Sequence, residues 1–193
     1  SLDDKKSVAW EAYLSIRTSL AFLTDHGVPR SFLLTSTRPN EGKSTSALAL
    51  AAVLASTKKR ILLIDADMRN PSLHKLLDSQ NINGLSNYLA GEDNLDQLIH
   101  RDSIYGFDAM SAGPIPPNAA ELLSSTRMSE LLSKLTAAFK RPFSVSEVPA
   151  LIFSGVLSRR CKPNIVVMVM GTHMNIAMVT KNLNQPNLWT IDF

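Results

Sequence analysis

The chain has a single cysteine, Cys161, in 193 residues. That excludes an internal disulfide and a cysteine-built metal cluster, and it suits a reducing compartment. No apolar run approaches the roughly 18 residues of a membrane-spanning helix. The opening Ser1-Leu2-Asp3-Asp4-Lys5-Lys6 is polar and charged, unlike a secretory leader. Aromatic residues make up only 6%, the net charge is +3 and there is no long basic run, so a dedicated nucleic-acid surface is not expected. His26, His74, His100 and His173 lack metal-ligand spacing, and no serine stands in a nucleophile-elbow setting. Repeats and low-complexity linkers are also missing. At 45% hydrophobic residues, what remains fits one globular α/β domain over residues 1–193 with a substantial core.

Against these absences stands one dense motif. The apolar run Phe32-Leu33-Leu34 leads into a polar turn, Thr35 to Asn40, which ends in Glu41-Gly42-Lys43-Ser44-Thr45 and is followed by an apolar helix to Ala55. Strand, turn and helix in this order make a phosphate-binding loop. Backbone N–H groups in the turn and at the helix N-terminus cradle a polyphosphate. Arg38, Pro39, Asn40, Glu41, Gly42, Lys43, Ser44 and Thr45 are the expected nucleotide-binding residues. Lys43 is placed to reach the β- and γ-phosphates of ATP, and the Ser44 hydroxyl to hold Mg2+. Thr37 stands where the full pattern has its first glycine. An ordinary strand–turn–helix carrying a surface lysine is the competing interpretation.

A second motif follows in Ile61-Leu62-Leu63-Ile64-Asp65-Ala66-Asp67-Met68-Arg69. The apolar run reads as a strand buried on both faces, as in a parallel sheet, and the helix before it has the length of a crossover. Asp65 and Asp67 then fall at the C-terminal end of that strand, the edge at which open α/β sheets bind ligands. Asp65 alone would read as a helix cap. Two carboxylates beside a phosphate loop suit Mg2+ coordination and proton abstraction from an attacking hydroxyl. Arg69 is placed either to meet phosphate or to pair with Asp67.

Elsewhere, helical spacing covers Val8–Leu23, with Ala9, Tyr13, Ile16, Leu20 and Leu23 near one face. Short helices are expected from Pro71 to Leu77, Gly84 to Ala90 and Leu95 to Ile99, and a strand over Phe107–Ala112. Asn118, with Glu121 in capping-box position, starts a helix running to about Phe139. Ile165–Met170 and Leu188–Ile191 read as strands and Met174–Leu183 as a helix. Tyr88 reads as a packed residue.

Several of these stretches occur together, in order, in a known family. Glu11-Ala12-Tyr13 with Arg17-Thr18, the Pro39–Thr45 loop, Ile64 to Arg69 with Pro71 to His74, Gly84-Leu85-Ser86, and Ala112-Gly113-Pro114 with Pro116-Pro117-Asn118 and Glu121-Leu122-Leu123 carry the likeness. Over about Val8 to Phe139 the chain resembles the cytoplasmic domains of bacterial tyrosine autokinases, which govern capsule and exopolysaccharide synthesis and export. The resemblance implies a P-loop fold of the MinD/ParA type, a mostly parallel central sheet flanked by helices. It implies ATP and Mg2+ as cofactors, Lys43, Asp65 and Asp67 as catalytic residues, and Ser44, Asp65 and Asp67 around the metal. It places Glu11 and Arg17 in an N-terminal region, 1–30, through which subunits form homo-oligomeric rings. It further implies a membrane-spanning activator domain or chain, a cytoplasmic location at the inner face of the plasma membrane, and a tyrosine-rich tail as substrate.

The chain departs from the family at four places. Asn40 replaces a glycine, a substitution that a left-handed turn tolerates better than most. Leu14 replaces the middle arginine of the oligomerisation helix. The only tyrosines are Tyr13, Tyr88 and Tyr105, with none clustered near Phe193. Residues 140–164 lack the family's apolar strand ending in Asp-x-Pro-Pro, offering only Glu147 and Pro149. Either a compensated local frame change or genuine divergence accounts for that segment. Two other functions therefore stand beside the kinase: a MinD/ParA-like ATPase, although the signature lysine of its loop is absent, and a nucleotide-binding but catalytically impaired subunit of an export complex.

Overall fold

The computed structural model describes residues 7–22, 28, 31–35, 40–101, 104–137, 165–169 and 188–192, with the backbone alone at residues 32, 136 and 137 and in the last two segments. Six strands form one sheet: β1 (Ser31–Thr35), β2 (Ile61–Asp65), β3 (His100–Arg101), β4 (Asp108–Met110), β5 (Ile165–Val169) and β6 (Leu188–Asp192), in the order β3-β4-β2-β5-β1-β6. Every pairing is parallel except β3 with β4. Ile64 lies level with Met168, and Met168 with Leu33, so β1 and β2 end at the same edge, level with each other and with β5 between them.

The sheet is covered on both faces, which accounts for the unbroken apolar runs. Successive side chains of a strand point to opposite faces. Leu62 and Ile64 of β2 join one core cluster, with Leu85, Tyr88 and Leu89 of α4 (Leu85–Ala90) and Met128, Leu131 and Leu135 of α7 (Thr126–Ala137). Ile61 and Leu63 join the other, with Trp10 and Leu20 of α1 (Val8–Ala21), the buried run Ala47–Leu54 of α2 (Lys43–Ala55), and Leu73 of α3 (Leu73–Leu76). Tyr88 is buried as expected, with its ring beneath the Arg127 guanidinium at 4.8 Å and its hydroxyl accepting from Lys134 Nζ at 3.1 Å.

Three expectations need correction. The inward face of α1 includes Trp10, while Ala9 is exposed; Ser7 caps the helix by accepting the Trp10 N–H. The long helix after Asn118 is two helices, α6 (Ala119–Leu123) and α7. Ser124 Oγ donates back to the Ala120 and Glu121 carbonyls, ending the first. Ser125 Oγ bonds the Leu122 carbonyl at 2.6 Å and accepts the Met128 N–H at 3.4 Å, which opens the second. Finally, Asn118 does stand at the N-cap of α6 but makes no capping bond; its side-chain amide donates to the Glu121 carboxylate. The short antiparallel β3 has no periodicity in the sequence that would reveal it. The expected helix at Met174–Leu183 lies outside the described residues.

At the N-terminal edge of the sheet, buried Asp108 meets Arg60 at 3.4 Å and Arg101 at 3.9 Å. At this edge the carboxylate faces groups of opposite charge.

Candidate functional site

At the C-terminal edge, β1 leads into the loop that opens α2. Asn40 and Gly42 both adopt left-handed backbone, with φ of 63° and 81°. Asn40 thus takes the conformation that the family's glycine would supply. Gly42 is the N-cap of α2 and has no side chain to cap it, so the first N–H groups of a 13-residue helix stay directed at the loop. Ser46 N–H donates to the Gly42 carbonyl at 2.8 Å, which closes the first turn. Lys43 is only 8% exposed, and Ser44 is half-buried. Asn40, Glu41, Gly42 and Thr45 are exposed. Arg38 and Pro39 lie outside the described residues, as does the atypical segment 140–164 with Glu147 and Pro149.

Asp65 is fully buried at the end of β2. Its Oδ1 accepts the Asp67 N–H at 3.1 Å, and its Oδ2 accepts those of Ser72 at 3.2 Å and Leu73 at 3.0 Å. Burial pushes its pKa up to about 6; the three N–H bonds oppose the rise and the Asp67 charge adds to it. Asp67 is half-buried, with Oδ1 on the Asn70 N–H at 3.1 Å. Arg69 is exposed and, among the described residues, makes no ion pair with Asp67. The two aspartates therefore differ in kind: Asp65 shapes the turn from Asp67 to Leu73, while Asp67 faces outward.

Two contacts join these pieces, and the residue pattern alone does not announce either. Ser44 Oγ lies 2.6 Å from Ser72 Oγ, tying the first turn of α2 to the start of α3. Tyr13 of α1 donates its hydroxyl proton to Ser46 Oγ at 3.0 Å. Beyond β4, Asn81 brackets Gly113 with reciprocal bonds of 2.7 and 2.8 Å, and Leu85 N–H reaches the Ser111 carbonyl at 2.8 Å. A Cβ on Gly84 would fall 2.0 Å from that carbonyl oxygen, so only glycine permits this approach. The run of Gly84, Ala112 and Gly113 was the available signal. Glu11 is exposed on α1, and Arg17 is half-buried beside an open groove of about 260 Å³ that it shares with Phe22, Val28 and Lys59.

The donor set suits a hard cation. Ser44 and Asp67 offer oxygen, and magnesium takes few protein ligands when phosphates and waters complete its shell. Among the described residues no group of three or more His, Cys, Asp and Glu side chains forms an all-protein metal cage. Likewise, no helix among them is long and apolar enough to cross a membrane.

Comparison with known proteins agrees with this fold. A family model, the CobQ/CobB/MinD/ParA nucleotide binding domain, matches residues 32–175. The tyrosine-protein kinase YwqD of Bacillus subtilis is 40% identical over 139 residues, which is 72% of this chain and 59% of that protein. The tyrosine-protein kinase etk of Escherichia coli K12 is 39% identical over 132 residues, 68% of this chain but 18% of that protein. The solved kinase domain of the Escherichia coli enzyme superposes with a TM-score of 0.76 at 28% identity, covering 98% of this chain and 66% of that one. The chain thus spans between about one fifth and three fifths of the length of these two curated relatives.

Proposed function

The chain belongs to the CobQ/CobB/MinD/ParA nucleotide-binding family, with bacterial tyrosine-protein kinases as its relatives, and from that premise we propose that it is an ATP-dependent tyrosine-autokinase domain regulating capsule or exopolysaccharide polymerisation and export. The observation that carries this is the combination of a left-handed Asn40–Gly42 turn at the uncapped start of α2 with an aspartate pair at the end of β2, on the same edge of the sheet.

In this reading the N–H groups of Gly42 to Thr45 bind the ATP phosphates, with Lys43 at the β- and γ-phosphates. Ser44 and the aspartate pair, Asp67 foremost, hold magnesium, which offsets phosphate charge when bound. A tyrosine oxygen forms a bond to the γ-phosphorus as the bond to the bridging oxygen of ADP breaks. The hydroxyl proton passes to the aspartate pair. Asp67 has the access, while burial pushes Asp65 up to about 6, so the acid limb of the rate profile tells them apart. A limb near pH 6 that vanishes in Asp65→Asn assigns the proton to Asp65; a limb that Asp67→Asn alone removes assigns it to Asp67.

The acceptor is a tyrosine-rich tail, supplied in trans within a homo-oligomeric ring whose contacts include Glu11 and Arg17. A membrane-spanning activator, as domain or separate chain, keeps the kinase at the inner face of the plasma membrane. The test is calorimetry with Mg·ATP on this chain beside Lys43→Ala, followed by phosphotransfer to a tyrosine-tail peptide. Micromolar binding that the mutation abolishes, with phosphotransfer, upholds the proposal. Binding without phosphotransfer replaces the kinase with a nucleotide-sensing subunit, and no binding overturns both.

A further inference from the structure

Ser72 has two attachments that its place in the chain does not require. It is the N-cap of α3, where a serine ordinarily turns its oxygen onto an N–H of its own helix. It makes no such bond. The Ser72 and Leu73 N–H groups are held by Asp65 instead, at 3.2 and 3.0 Å. That leaves the Ser72 hydroxyl available, and it lies 2.6 Å from Ser44 Oγ. The distance is short even for a bond between two hydroxyls.

A hydroxyl carries one proton and two lone pairs. One that ligates a cation does so through a lone pair and must point its proton elsewhere, onto an acceptor. Either hydroxyl of this pair can donate; with Ser44 on a cation, Ser72 Oγ would be the acceptor, and it is fixed from behind, because its own backbone N–H is bonded to the buried Asp65. Partners of this sort orient a ligand and raise its affinity for the metal, and their loss costs about 10- to 100-fold in binding.

We infer that Ser72 is a positioning residue for the nucleotide-bound magnesium: it accepts the Ser44 proton, aims the Ser44 lone pairs into the site and ties them to the Asp65 turn. The inference rests on the nucleotide-binding reading given above. It adds a residue that the phosphate loop and the aspartate pair do not contain.

The experiment is a calorimetric titration of ADP into the full chain at a series of Mg2+ concentrations and also with chelator. Ser72→Ala is expected to raise the Mg2+ midpoint for ADP binding about 10-fold while leaving metal-free ADP binding unchanged. Ser72→Thr, which keeps the hydroxyl, should retain the wild-type midpoint. Ser72→Cys, similar in size but a weak acceptor, should shift it as alanine does, and serves if the alanine variant folds poorly. An unchanged or lowered midpoint in Ser72→Ala overturns the inference, as does an equal shift in Ser72→Thr. If the wild type shows no ADP binding that depends on Lys43, the nucleotide reading itself fails and the inference falls with it.

Discussion

Asp65 ends β2 and Asp108 begins β4, so neighbouring parallel strands place one buried carboxylate at each edge of the sheet. Asp108 meets two guanidinium groups, Arg60 and Arg101. Asp65 meets backbone N–H groups; burial pushes its pKa up to about 6, with the Asp67 carboxylate adding to the rise and the N–H bonds opposing it. Where opposite charges face it, the carboxylate secures the fold. Where two carboxylates are gathered on one turn, near the uncapped start of a helix, the arrangement is of the kind found at sites that bind something charged.

The sharpest way to break this contrast is Lys43→Ala. Charge-assisted bonds to phosphate are worth about 1.5–3 kcal/mol each, so nucleotide affinity should fall on the order of 100-fold or more by calorimetry. The melting temperature without nucleotide should hold or rise, because a buried cation is removed.

Next in size is a pH effect at Asp65. Its folded pKa of about 6 lies above the ordinary 3.8, so the folded state binds the proton more tightly. The stability this supplies is complete below about pH 4 and is lost as pH rises through 6, a change of about 3 kcal/mol. Melting curves of wild type minus Asp65→Asn across this window should show that slope. A difference that is flat with pH would place Asp65 with Asp108 as a structural carboxylate.

The third is Arg60→Ala at the other edge, expected to lower stability by about 2 kcal/mol, between the values for exposed and for buried ion pairs. Nucleotide affinity should not change. The smallest effects are at Asn40, whose φ is 63°. Asn40→Gly should shift denaturant stability by under about 0.5 kcal/mol, whereas Asn40→Val should lose about 1–2 kcal/mol, the strain of a branched residue in that turn.

The two edges also differ in how far they could be read from the sequence. Leu33-Leu34 and Ile61 to Ile64 announce buried strands because apolar runs have few other uses, and the glycine–lysine–serine loop is legible because its backbone demands are strict. Asn40 was expected in a turn that favours positive φ, and it is found there. The Asp108 pairs were hidden, since Arg60 and Arg101 reach that carboxylate only through the stacking of β2, β4 and β3. The Ser44–Ser72 contact was hidden for the same reason: it joins two short segments that only the crossover brings together. The split at Ser124-Ser125 was missed because helical apolar spacing continues through it, while the breaking force comes from hydroxyls bonding backward onto carbonyls.

The strand order carries a consequence for how the protein is made. β1, which launches the phosphate loop, has β5 on one side and β6 on the other, and both are drawn from beyond residue 164. A nascent chain that has emerged only as far as α7 possesses the loop sequence, the aspartates and the packing of α2 on β2 and α3, but neither strand that flanks β1. Such distant pairings make for slow folding. Until β5 and β6 have both emerged, β1 has no place in the sheet and the loop it launches is not anchored, so the site is completed only after the chain beyond residue 164 is made.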